Sequence, residues 1–310
     1  MTFRILTHDG YIHADEVLGC ALARRYYLQL GQKTEVIRSR RPEDIAAADM
    51  VIDVGGVHDP ETLRFDHHFP DPPVSPGGWH FSSFGLLWQA IGRDYLRKVG
   101  PAFRRMADSD EVEEAFVEMQ NRLVKEVDQA DNGELSPPAG HISSVVDSLN
   151  GCENAWQQAG NVADAVLMAE TFRIWSGLQA KREIRDALEA APGEDVIHLK
   201  RRLPWRDRTP ENVMFAIYRE SGKDGLFMIE TRFDSVCPDA PHLLFPRETW
   251  GLRGQELSRQ TGVDDLEFVH HKGLVAGART LEGAHGLVRL MLPGYAPAEP
   301  EKRPAAPLVR

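Results

Sequence analysis

Cysteine is scarce in this chain: three in 310 residues, Cys20, Cys152 and Cys237, with no CxxC pair among them. That spacing excludes a disulfide framework and a thiolate zinc cage, and it fits a reducing compartment. Long apolar runs are missing too. The longest near the start, Val17 to Ala23, falls far short of the ~20 residues a membrane span requires, and the N-terminus lacks a basic-then-apolar leader. The expectation is a soluble, cytoplasmic protein with no membrane partner. Basic residues are outnumbered, 36 Lys and Arg against 47 Asp and Glu, for a formal net charge of −11. Such a balance disfavours a surface that grips long nucleic acid through phosphate neutralisation. A local site escapes that argument, because part of the charge can itself be a metal cage whose dications invert the field where an anionic substrate sits.

What is present points the same way. Six of the twelve histidines, His8, His13, His58, His67, His68 and His80, lie in the first 80 residues. Residues 3–8 read as a strand, Asp15 to Leu30 as a helix with Leu18, Ala21, Leu22 and Tyr26 at helical spacing, and 34–40 as a second strand. "RPEDIAAAD" fits a short helix with its proline early, "MVIDVGG" a short apolar strand closed by glycines, and "LRFDHH" a further strand ending in charge. Strands alternating with helices predict an α/β fold with a mainly parallel sheet and helices on both faces, with ligands beyond the carboxyl ends of the strands. Helices follow around 81–98, 109–131 and 161–190; Val112, Ala115, Phe116, Met119, Leu123 and Val127 form one stripe. "APGED" (191–195) is the candidate linker. We therefore expect a catalytic domain over 1–190, a smaller α/β C-terminal domain over 196–295, and a disordered Pro- and Ala-rich tail over 296–310.

His8, His13, Asp15, Asp53, Asp66, His67 and His68, with Asp128 or Asp131 from "EVDQADNGE", gather at predicted strand and helix ends. Imidazole and carboxylate without thiolate suit Mn²⁺, with Mg²⁺, Fe²⁺ or Co²⁺ as neighbours in preference. One carboxylate can bridge two ions ~3.5–4 Å apart, which activates a water and stabilises the leaving oxygen in phosphoester hydrolysis. Asp53 suits that place, since an unpaired carboxylate in an apolar strand is costly to bury. Asp128 and Asp131 could both reach such a site. Asp131 lies closer in helical angle to the apolar stripe, which favours it.

"THDGYIHADE", "VIDVGG", "RFDHH" and "VDQADNG", in this order, resemble the four motifs of the DHH phosphoesterase superfamily. His13, where most of the superfamily carries aspartate, makes the first motif similar to the Myg-type (melanocyte proliferating gene) branch. "WGLRGQELSRQTGVDDLEFVHHKGLVAGARTLEGA" (250–284) resembles that branch's C-terminal signature. The resemblance implies a dinuclear site: His8, His13 and Asp53 around one metal, and Asp15, Asp53, His67 and Asp131 around the other. It also implies that Asp66 orients a neighbour and that His68 faces substrate phosphate. The implied activity is metal-dependent 3′–5′ exonucleolytic cleavage of RNA or short oligonucleotides, with two Mn²⁺ ions, or Mg²⁺ or Co²⁺ in their place. A small-molecule phosphatase or pyrophosphatase, and a non-catalytic metal-bound nucleotide-binding protein, are the alternatives. In the C-terminal segment His270, His271, Gly273, Gly277 and Arg279 are the candidate substrate-binding residues; a strand end, turn glycines and a surface arginine are the plainer account of them.

Overall fold

The computed structural model describes residues 2–98, 109–222, 225–233 and 243–296. Cys237, and all but residue 296 of the expected disordered tail, lie outside them. Two compact units divide at Leu178/Gln179.

The first unit opens β1 (Phe3–Thr7), α1 (Ala14–Gln29), β2 (Thr34–Arg38), α2 (Pro42–Ala47), β3 (Met50–Ile52), β4 (His58–Asp59) and β5 (Arg64–Phe65). The strands form one sheet in the order β2-β1-β3-β5-β4. All pairings are parallel except β4 with β5, which is antiparallel. Alternation along β1 serves two faces. Ile5 joins the large core with Val17, Leu18 and Leu22 of α1, while Leu6 joins a smaller cluster with Val51 that Ile45 of α2 covers. Helices thus cover both faces, as the sequence pattern predicts.

Beyond the sheet come α3 (Ser83–Lys98), α4 (Ser109–Met119), a π-helical segment (Gln120–Val124), α5 (Lys125–Asp131), α6 (Ile142–Leu149) and α7 (Ala155–Ala190). The predicted stripe from Val112 to Val127 is buried throughout. The expected helix forms at α1 and is buried beyond its apolar spacing: every residue from Ala14 to Ala23 is buried. α1 lies between the sheet and the packed helices α3, α5 and α6, so both its faces are interior. Gly19 permits the close approach: a Cβ there would stand 3.1 Å from the Ile52 side chain of β3. Among the described residues no helix is long and apolar enough to cross a membrane.

The second unit contains β6 (Val196–Leu199), β7 (Phe215–Arg219), β8 (Phe227–Thr231), α8 (Gly254–Thr261), β9 (Leu266–Val269), β10 (Val275–Ala278) and α9 (Leu281–Met291). Its sheet runs β6-β7-β8-β10-β9, with only β6 and β7 parallel. The division between units falls inside α7, upstream of the "APGED" segment, because Ala180 and Ile184 in the last turns of α7 pack with Ile197, Ala216 and Tyr218.

Candidate metal centre

Parallel β1, β3 and β5 end on one edge of the sheet, and the residue types that carry chemistry come directly after them. His8 follows β1, Asp53 follows β3, and Asp66 and His67 follow β5. α1 starts over the same edge and brings Asp15 and Glu16 in its first turn, where the helix dipole favours negative charge. Asp131, the last residue of α5, completes the group.

Asp53 is the hub. Its Oδ2 lies 3.2 Å from His8 Nε2, and its Oδ1 lies 3.4 Å from both His67 Nε2 and His68 Nδ1. The Ser83 hydroxyl donates to the same Oδ1 at 3.0 Å. The backbone of Asp53 is left-handed, with φ at 60°. Aspartate tolerates that region better than most residues, and strained backbone of this kind gathers at functional sites. Here it turns the carboxylate back over the strand ends.

His67 Nε2 lies 3.2 Å from Asp131 Oδ2, and His8 Nε2 lies 3.4 Å from Glu16 Oε1. Three sets of ligand atoms lie within 4.8 Å of one another: His8, His13, Glu16 and Asp53; Asp53, His67 and His68; and His13, Asp15 and Asp131. The His8 ring is oriented from behind, its Nδ1 donating to the Asp9 carbonyl at 3.0 Å, which leaves Nε2 for the cluster. Asp66 Oδ1 accepts from both the backbone N and the Nδ1 of His68, at 3.0 and 2.8 Å, and its Oδ2 accepts from Gly56 N at 2.6 Å.

Electrostatics show what the cluster lacks. Asp15, Glu16 and Asp53 are buried, and neither oxygen of Asp15 meets a hydrogen-bond donor among the described residues. Burial and the facing Asp131, Asp53 and Glu16 carboxylates push the Asp15 carboxyl well above the usual range. Burial also raises Glu16, against the pull of His8. Burial opposes charging of His8 and His67, yet hydrogen bonds to Asp53 and Glu16 lift His8 to about 10, and those to Asp131 and Asp53 lift His67 to about 10. Asp53 is held low: the two imidazoles outweigh its burial. Buried negative charge that draws protons onto histidines is charge that a dication would neutralise. Imidazole and carboxylate donors with an orphaned Asp15 therefore fit a hard or borderline divalent ion.

Of the two acidic residues the sequence leaves open on α5, Asp131 reaches the cluster and Asp128 does not. Asp128 Oδ1 accepts from Ser82 N at 3.0 Å and from the Ser82 hydroxyl at 2.7 Å, and its Oδ2 accepts from Trp79 Nε1 at 3.1 Å. Burial pushes its carboxyl up to about 7 despite those donors. Glu16 is the member that sequence reasoning passes over. It sits three residues after the N-cap His13 and accepts from His13 N at 2.8 Å, so a capping box accounts for it without any metal.

The C-terminal candidates lie in the second unit. Gly273 adopts φ of +66° and a Cβ there would stand 2.2 Å from Trp250 Nε1, while one on Gly277 would stand 2.6 Å from the Phe268 ring. Aromatic side chains fill the space above both glycines. Arg279 pairs with Glu267 at 2.7 Å. The rings of His270 and His271 lie 4.1 Å apart, and His270 lines a cavity of about 580 Å³ with Arg202, Arg219 and Tyr218.

Comparison with known proteins identifies the family. The model of the MYG1 exonuclease family, described as an uncharacterised protein family (UPF0160), matches residues 4–292. The human MYG1 exonuclease is 31% identical over 336 residues, covering 93% of this chain and 85% of its own. The MYG1 protein of Chlamydia trachomatis is 30% identical over 286 residues, covering 86% and 89%. A crystal structure of exonuclease RecJ bound to manganese aligns over 94% of this chain and 91% of its own at 15% identity, but its TM-score of 0.28 is too low to argue from. With a family match that spans nearly all the sequence and relatives in both bacteria and animals, the chain belongs to the MYG1 exonuclease family.

Proposed function

We propose that the chain is a metal-dependent phosphodiesterase that removes nucleotides from an end of RNA or short oligonucleotides, with Mn²⁺ preferred and Mg²⁺ or Co²⁺ as substitutes. The observation that carries this reading is Asp53, whose two oxygens face separate imidazoles, His8 at 3.2 Å and His67 at 3.4 Å. A carboxylate so placed can bridge two sets of ligands. On this reading His8, His13 and Asp53 hold one ion, with Glu16 beside them, and Asp15, Asp53, His67 and Asp131 hold the other, drawn from two neighbouring groups in which Asp53 and His67 lie with His68, and Asp15 and Asp131 with His13. Bound dications would supply a water of lowered pKa and draw charge from the phosphate. The names of the relatives, MYG1 exonuclease among them, support the phosphodiester class.

The chain's own residues do the rest. Asp66 Oδ1 accepts from His68 Nδ1 at 2.8 Å and raises its pKa, which favours the protonated ring and leaves the Nε2–H of this exposed side chain to donate to a phosphate oxygen. The Asp9 carbonyl and the Ser83 hydroxyl fix His8 and Asp53 so that little reorganisation accompanies binding. All proposed ligands lie in the first unit, inside the 1–190 span expected to be catalytic, although that unit itself ends at Leu178; 196–295, with His270, His271, Gly273, Gly277 and Arg279, is the substrate-binding part of this reading. A cytoplasmic site of action and DHH-type chemistry belong to the same proposal. The test is direct: chelator-treated protein should leave 5′-labelled RNA oligomers intact and shorten them once Mn²⁺ is restored. Full activity after exhaustive chelation overturns the mechanism.

A further inference from the structure

A cavity of about 430 Å³ adjoins the metal cluster and shares His13 and Asp131 with it. Its far wall is α6, which contributes Ser143, Asp147 and Ser148, and Tyr11 stands at its side. Pockets of this size accept a nucleoside. Any ligand held by the cluster through a phosphate has this cavity as its neighbour.

The chemistry of the wall narrows the occupant. Asp147 has no cationic partner among the described residues; its Oδ1 accepts a hydrogen bond from the Tyr11 hydroxyl. The Ser143 hydroxyl hydrogen-bonds no described residue, whereas Ser148 Oγ donates to the Ser144 carbonyl at 2.8 Å. A carboxylate with no cation beside it, next to an already acidic cluster, repels phosphate and accepts from hydroxyl groups. The Tyr11 ring, 54% exposed and 5.6 Å from that of His13, offers a flat face to a planar group. We propose that this cavity seats the ribose of the nucleotide at the cleaved end, with Asp147 accepting a hydrogen bond from its 2′-hydroxyl, Ser143 adding a second polar contact, and Tyr11 bordering the base. Asp147 is then the residue that separates RNA from DNA, since the 2′-hydroxyl is the group that differs. This rests on the phosphodiesterase reading and names the substrate feature its site selects.

A competing role for the same residues is structural. Asn150 Oδ1 accepts from Ile12 N at 2.7 Å and its Nδ2 donates to the Ile12 carbonyl at 2.9 Å, so α6 already clamps the loop that carries His13. The Tyr11–Asp147 bond could be one more strut of that clamp. The experiment uses the full chain loaded with Mn²⁺ and compares wild type, Asp147→Ala, Ser143→Ala and Tyr11→Phe on RNA and DNA oligomers of one sequence. Metal content is measured on each, and binding of adenosine 5′-monophosphate and its 2′-deoxy analogue is followed by calorimetry. Wild type should prefer RNA, and Asp147→Ala should lose kcat/KM on RNA by roughly tenfold or more while its DNA activity and metal content hold. Tyr11→Phe, which removes only the strut's hydroxyl, should keep the RNA-to-DNA ratio. Equal losses on both polymers, or a wild type indifferent to the 2′-hydroxyl in cleavage and in binding, overturn the ribose assignment. If neither polymer is cut but the ribonucleotide still binds better in an Asp147-dependent way, the hydrolase reading fails and the ribose site stands.

Discussion

Asp15→Asn should stabilise the metal-free chain and destroy its response to Mn²⁺. Asp15 is buried, neither oxygen meets a donor among the described residues, and its ligand atom lies within 4.8 Å of that of Asp131. At an effective dielectric of roughly 20, one such pair of like charges repels by about 3 kcal/mol. Protonation caps the penalty: a carboxyl whose unfolded pKa is near 4 takes up a proton before its cost at pH 7 exceeds about 4 kcal/mol. The gain from removing the charge is therefore about 3 kcal/mol at pH 7. Its pH dependence is fixed in sign. The folded state raises the pKa of Asp15, so folded protein holds the proton more tightly, and wild type loses stability as pH rises from about 4 through the folded pKa. The advantage of the asparagine variant should vanish near pH 4 and grow toward neutrality. With Mn²⁺ the order inverts, because only the wild-type carboxylate repays its burial by ligation. Denaturant unfolding of both proteins across this pH range, with chelator and with Mn²⁺, reads all three effects. A variant less stable than wild type without metal, a gain independent of pH, or equal stabilisation of both by Mn²⁺ would each refute the reasoning.

Two further substitutions separate neighbouring roles. His67→Ala should lower metal content, whereas His68→Ala should keep the metal and lose kcat by roughly 10²–10³, the worth of one electrostatic donor; metal analysis beside kinetics decides, and equal metal loss in both would end the phosphate-facing role of His68. Gly85→Ala places a methyl 2.4 Å from Asp128 Oδ1 and should push that carboxylate off Ser82 and Trp79. The expected loss is about 3 kcal/mol of unfolding free energy, largely absent when Asp128 is first changed to Ala, and an additive double variant would disprove the clash.

The first half of the site is legible in the sequence because a βαβ unit leaves little choice. Parallel strands end on one edge, so His8, Asp53, Asp66 and His67, each at the close of an apolar run, had to converge. Asp131 was harder. Helical angle favours it, but a π-helical segment at Gln120–Val124 adds to the turn and shifts the register between the apolar stripe and the acidic pair. What settles the matter is remote in sequence: Ser82 and Trp79 supply the donors that hold Asp128, and Gly85 leaves the space for its carboxylate. Glu16 stays hidden for a different reason, since the capping pattern explains it fully. In the second unit the glycines of "HHKGLVAGART" carry two meanings, and Trp250 and Phe268, which fill the space above them, could not be matched to them without the sheet register.

The same register explains why the centre is built on a strained residue. β3 is only three residues long, and its neighbours β1 and β5 already place His8 and His67 on either side of its end. An extended residue at 53 would send its side chain to one face of the sheet, within reach of one imidazole. With φ at 60° the carboxylate instead stands over the edge, between both. The left-handed turn costs on the order of 1 kcal/mol or more, and the hydrogen bond from Asp53 N to the Phe65 carbonyl at 2.9 Å helps hold it. Glycine at 53 would relax the backbone and remove the carboxylate that stands between the two imidazoles, and asparagine would keep the turn while giving up its charge. Aspartate alone satisfies the backbone and the chemistry together.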